Sequence, residues 1–150
     1  GVEVFNNELS GHKSVSVSMV SYYLMDSKID DRREPDYDPY ITDISVHDNT
    51  FDEKKARFPD LSNELGRLLF IKFGLRSPEL VYDGIVDEDR AASQMLYPED
   101  LRLCIRNNGD VSFAYMDLNN GGAKAKPILE PSGFDCAKTA LPATELTRNK

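Results

Sequence analysis

The chain has 150 residues, enough for one domain with a substantial core, and its 40% hydrophobic and 29% charged content is that of an ordinary globular protein. Its 26 acids outnumber 18 bases, for a net charge of −8, which argues against nucleic acid or an anionic lipid surface and in favour of a basic partner. Apolar runs are only a few residues long, so no segment is suited to span a membrane.

In "KSVSVSMV", Val15, Val17 and Met19 alternate with Ser14, Ser16 and Ser18, the period of a half-buried strand. The pattern becomes apolar on both faces in "MVSYYLM", as at a bulge or where a strand enters a more covered part of a sheet. "DSKIDDRREPDYDPY" is charged and broken by Pro35 and Pro39, which hold the residues before them extended. It reads as a loop, with a short strand in "ITDISV" after it.

"PDLSNELGRLLFIKFG" predicts a helix from Pro59 or Asp60. Leu61, Leu65, Leu68, Leu69 and Phe73 form its apolar stripe and Gly74 its stop. Gly66 costs about 1 kcal/mol within a helix and predicts a close approach to the sheet. "ELVYDGIV" reads as a strand interrupted at Gly84, and "DEDRAASQML" as a short helix or loop. In "LRLCIRNNGDVSFAYMDL", two alternating runs flank Asn-Gly, whose tolerance of positive φ makes it a hairpin signal. No internal repeat is visible. The expected fold is α+β: an antiparallel sheet with a hairpin at about 101–117, packed on one main helix at about 60–73. Residues 1–133 form the expected domain, and 134–150 a tail that could open a further envelope module.

Catalytic signatures do not emerge. His12 and His47 lack a metal-ligand spacing, and there is neither a nucleophile elbow nor a phosphate-cradling glycine loop. Asp36 and Asp38, and the acids of "DGIVDED", lack the glycine and terminal glutamate of a calcium loop. No metal, cofactor or enzymatic activity is expected. The loop is more informative as a contact surface. Tyr37 and Tyr40 are aromatic anchors among Asp31, Glu34, Asp36 and Asp38, a composition suited to docking a basic protein. Its plainer reading is a mobile surface loop with the tyrosines packed onto the sheet.

Cys104 and Cys136 are the only cysteines. Spacing alone leaves two readings open, unrelated buried thiols or a disulfide. Around the second of them, Phe134, Asp135, Cys136, Ala137, Lys138, Pro142 and Glu145 resemble the opening of the lysozyme-inhibitor LprI-like domain, a small cysteine-rich helical module of bacterial envelope proteins. The likeness covers about a dozen residues. The family's second cysteine is missing, since Arg148 or Asn149 stands in its place and the sequence ends at Lys150. The resemblance implies a periplasmic or secreted protein, its signal peptide removed, that binds or restrains a cell-wall-active enzyme. In such a compartment Cys104 and Cys136 are expected to pair, a departure from the family's internal bridge. The functional expectation is thus an inhibitor or immunity-type protein that blocks a basic enzyme or toxin. A structural or assembly module of a larger envelope protein is the alternative, and a hydrolase using carboxylates from 83–100 a further one.

Overall fold

The structure, a computed structural model, describes residues 1–26, 28–31, 34–51, 58–130 and 132–142. Arg32, Arg33, Glu145, Arg148 and Asn149 lie outside the described residues.

Among the described residues, all strands are short and pair in parallel. β1 (Val2–Phe5), β4 (Ile44–His47) and β7 (Cys104–Arg106) make the first sheet, with β4 central. β2 (Glu8–Leu9) and β5 (Thr50–Phe51) make the second. β3 (Val17–Met19), β6 (Leu80–Tyr82) and β8 (Phe113–Tyr115) make the third. The chain visits the three sheets in the same order on its first two passes and goes from the first sheet to the third on the last. It lays each strand on that of the pass before. Val4, Val46 and Ile105 form one column, and Met19, Tyr82 and Tyr115 another. This is a mixed α/β domain built as a β-solenoid of three stacked coils. The expected antiparallel sheet does not form.

The corner between the first and second sheets explains the stacking. Asn6, Asp48 and Asn107 all sit at φ of 53–54°, a left-handed conformation that asparagine and aspartate tolerate better than other side chains. The next residue in each coil is an asparagine, and the three form a ladder along the stack. Asn7 donates its backbone N–H to Asn49 Oδ1 at 3.1 Å, and Asn49 donates its own to Asn108 Oδ1 at 3.1 Å. The side-chain amide of Asn49 donates to Val4 O, His47 O and Asn108 Oδ1, and that of Asn108 to Val46 O. Buried backbone groups that a turn would leave unpaired are satisfied in this way.

The expected hairpin at 101–117 is therefore a corner. Asn107 turns the chain from the first sheet toward the third, so β7 pairs with β4 and β8 with β6. Asn-Gly chemistry permits either outcome, and the earlier coils supply the pairing that decides it. The repetition is thus in the strand pairing, without a repeat visible in the sequence.

"YYLM" forms a short helix, α1 (Tyr22–Met25), in place of a continued strand. The main helix, α2 (Glu64–Phe73), starts later than its apolar stripe suggested, because the Asn63 side chain accepts from Gly66 N at 2.8 Å and caps it there. Gly66 makes its close approach to the turn before the helix: a Cβ there would lie 1.8 Å from Asp60 O. Inside the coils pack Met19, Val46, Leu80, Tyr82, Tyr97, Tyr115 and Phe134 with their neighbours. Leu69 of α2 instead meets Val81 and Met116 on the outside of the third sheet, covering the second face that a parallel sheet must bury.

The chain seals its own C-terminal end. Ile105 N donates to Phe134 O at 2.7 Å, and Tyr115 and Ile128 exchange bonds of 3.0 and 2.9 Å, so both long sheets have a covered edge there. The Phe134 ring plugs the core, 5.4 Å from the Phe113 ring and 6.0 Å from that of Tyr82. Cys136 then forms a disulfide with Cys104. Beyond it, Lys138 pairs with Asp43 at 2.6 Å and Leu141 N reaches Glu3 Oε2 at 3.3 Å. Residues 134–142 thus run as a strap over all three coils. At the opposite end Val2 and Phe5 stay half exposed, at 53% and 47%.

Asn49→Ala is expected to cost about 2–4 kcal/mol in urea unfolding, because it orphans several buried backbone groups at once, and more than Asn7→Ala at the end of the ladder. Thiol titration of the unreduced, denatured protein should find no free cysteine. Reduction should cost about 4 kcal/mol, the chain entropy of a loop this long.

Candidate functional site

Insertions in a solenoid gather where successive coils turn the same corner, and that face commonly serves binding. Here residues 20–43 and 83–103 each lead from the third sheet back to the first, and residues 116–133 leave the third sheet at the same corner. The first of these loops carries seven acids against three bases and the second six against two. Each has a deficit of four, together equal to the −8 of the whole chain; the third loop and the remaining residues are each neutral in sum.

Arg90 of the second loop fastens it to the first. Its guanidinium forks onto Asp38, with Nη1 at 2.8 Å and Nη2 at 3.0 Å, and its Nε meets Asp87 at 2.7 Å. The same group lies over the rings of Tyr40 and Tyr97, 5.5 and 5.9 Å from their centroids. A bidentate ion pair with two aromatic faces holds a charged loop far better than a lone surface pair does. Within the first loop, the Tyr23 hydroxyl donates to Asp30 at 2.8 Å, its ring packs 5.0 Å from that of Tyr40, and Ile29 is buried. Asn119 Nδ2 donates to Glu88 Oε1 at 3.3 Å, linking the third loop to the second around a small groove lined by Val86, Ala91 and Gln94.

The six residues read from the sequence as partner-binding divide accordingly. Asp31, Glu34, Asp36 and Tyr37 are exposed. Asp38 is the partner of Arg90, and Tyr40 is half-buried between Tyr23 and Arg90, so these two brace the face. Sequence reasoning missed Tyr22 and Met25, exposed at 44% and 68%; the Tyr22 ring stands edge-on to Tyr37 at 5.9 Å.

Asp83, one of the acids of 83–100 read as hydrolytic carboxylates, is fully buried at the loop roots. Burial pushes its pKa up to about 6, against the pull of backbone N–H donors. On the outside of the first sheet, His47 lies between Asp48 at 2.6 Å and Glu3 at 2.8 Å, stacked on Phe5. The hydrogen bond to Asp48, then that to Glu3, raises its pKa. Among the described residues no group of three histidines, cysteines or acids is placed to hold a metal, and no helix is long and apolar enough to cross a membrane.

Comparison with protein-family models, curated proteins and solved structures finds no match for this chain.

Two outcomes follow from this geometry. Arg90→Ala should cost about 1 kcal/mol, since the pair is partly exposed, and raise amide exchange in the first loop as well as the second. Asp83, with a folded pKa above its unfolded 3.8, contributes stability that is fully present below about pH 4 and lost as pH rises through about 6, in all about 3 kcal/mol. Subtracting the Asp83→Asn denaturation midpoints from those of the wild type across pH 4–7 should reveal that slope.

Proposed function

We propose that this protein is an extracytoplasmic binding module that docks a basic protein on its loop face. The observation that carries the reading is the confinement of the entire net charge to two loops that Arg90 locks together. Charge concentrated on one braced face accelerates encounter with a basic surface and selects against acidic ones. Tyr22, Tyr37 and Met25 add exposed aromatic and thioether area among the acids, the composition of an interface hot spot. Bracing removes part of the ordering cost of association. The Cys104–Cys136 disulfide supports an oxidising compartment, such as the periplasm or the extracellular space. Blocking a basic enzyme or toxin, as an inhibitor or immunity protein does, is the use such a face suits best.

Calorimetric titration against basic lysozymes and basic toxins tests the reading. A binder should be found whose affinity falls about tenfold or more with Asp36→Lys and again with Tyr37→Ala, without loss of thermal stability. Affinity should also weaken as salt rises. Binding untouched by both substitutions would remove the loop face from the function.

A further inference from the structure

Asp83 stands directly after β6, where the second loop begins, and its hydrogen bonds reach the roots of all three loops. Oδ2 accepts from Ser21 N of the first loop at 2.6 Å, and Oδ1 from Ile85 N of the second at 3.0 Å. Its backbone carbonyl accepts from Leu118 N of the third at 3.0 Å, and its own N–H donates to Met19 O of β3 at 3.1 Å. The side chain has no solvent exposure.

We propose that Asp83 is the positioning residue of the loop face, and that its protonation loosens the roots of the first two loops together, so that presentation of the face depends on pH. The inference rests on reading that face as the binding surface.

The surroundings of the carboxylate make it responsive. Asp83 acts on the phenols of Tyr82 of β6 and Tyr115 of β8, which Tyr97 of the second loop also faces, and Asp117 of the third loop acts on Tyr115. Burial is the main cause that raises all three phenols above their ordinary value, so they stay uncharged. Asp117 is itself an acid, and the cation at this root, Lys72 of α2, donates to Met116 O at 3.1 Å and interacts with Asp117.

As a carboxylate, Asp83 accepts at both oxygens. A proton taken from solvent turns one of them into a donor facing an N–H. Next to it lies the buried Ser21 Oγ, whose hydroxyl also favours the charged carboxylate and turns acceptor for that proton once the loop root shifts. Protonation relieves the buried charge, which favours the fold as a whole, while it withdraws one acceptor from the loop roots. A tie between loop and core is thereby exchanged for a lower cost of burial. Acidification across one pH unit or two is enough to make the exchange, because burial places the titration near pH 6.

The test is an NMR titration of the disulfide-bonded full chain between pH 4.5 and 8. The Asp83 carboxyl carbon should titrate with a midpoint of about 6, and the Ser21 and Ile85 amide signals should share it. Protection factors at those two amides should fall about tenfold from neutral to acid pH, the loss of one charge-assisted bond, while that of Asn49 holds. In Asp83→Asn both amides should lose this titration. The proposal is overturned if the carboxyl titrates near pH 4, if the two amides stay flat while it titrates near 6, or if they titrate unchanged in Asp83→Asn. Should that variant not fold, the wild-type titration decides alone. Calorimetry with an oligolysine peptide at pH 7.5 and 5 separates the two readings. Absence of heat at both values counts against the binding face and leaves the titration to judge Asp83. An equal change of affinity with pH in wild type and Asp83→Asn counts against Asp83.

Discussion

The asparagine ladder is the constraint on which the rest of the molecule depends. Parallel strands of three or four residues hold too few hydrogen bonds to fix their own register, and a slip of one residue would turn every inward side chain outward. Asn7, Asn49 and Asn108 prevent that slip, because each rung closes only when the coil above lies in one position. With the corner pinned, Val4, Val46 and Ile105 meet inside, and the third sheet can stack Met19, Tyr82 and Tyr115. The same pinning sends the long insertions out at a shared corner, so the scaffold and the loop face have one origin.

How much of this was legible in the sequence depends on the reach of each signal. The helix showed itself through a local stripe and a glycine stop, and was misplaced only at its start, where Asn63 outcompeted Pro59 and Asp60 as cap. The acidic stretch was recognisable as a loop from its prolines and charges. The solenoid was not legible. Its rungs lie 42 and 59 positions apart, separated by insertions of unequal length, so no period survives. "FNN", "HDN" and "RNN" are the trace it leaves, and a triplet with one invariant letter is invisible without the knowledge that all three occupy one corner. The hairpin reading failed for the same reason. Left-handed dihedrals at Asn107 report that the chain turns, and they carry no information about which strand it turns to meet.

The loop face was half legible. Composition marked Asp31, Glu34, Asp36 and Tyr37, which the structure leaves exposed. Asp38 and Tyr40 looked no different in the sequence, yet Arg90 of the second loop engages both, one through an ion pair and the other through its ring. In the sequence Asp83 stood out only as one of several acids in 83–100, with nothing to mark it as buried. Its significance arises from depth, because a carboxylate sealed from solvent must be held by hydrogen-bond donors, and the amides that hold it here belong to different loops.

The strap sets the order in which the chain can finish folding. Leu141 meets Glu3 across 138 positions, and Lys138 meets Asp43 across 95. The first coil is thus locked by residues made only after all three coils. Before Phe134 arrives, the coils present an unplugged aromatic core and two unpaired sheet edges, a surface that invites association with other nascent chains. Contacts this remote in sequence also make for slow folding. A chain of this design is most vulnerable in the interval between completing its third coil and drawing its tail back over the first, when it most needs protection from its neighbours.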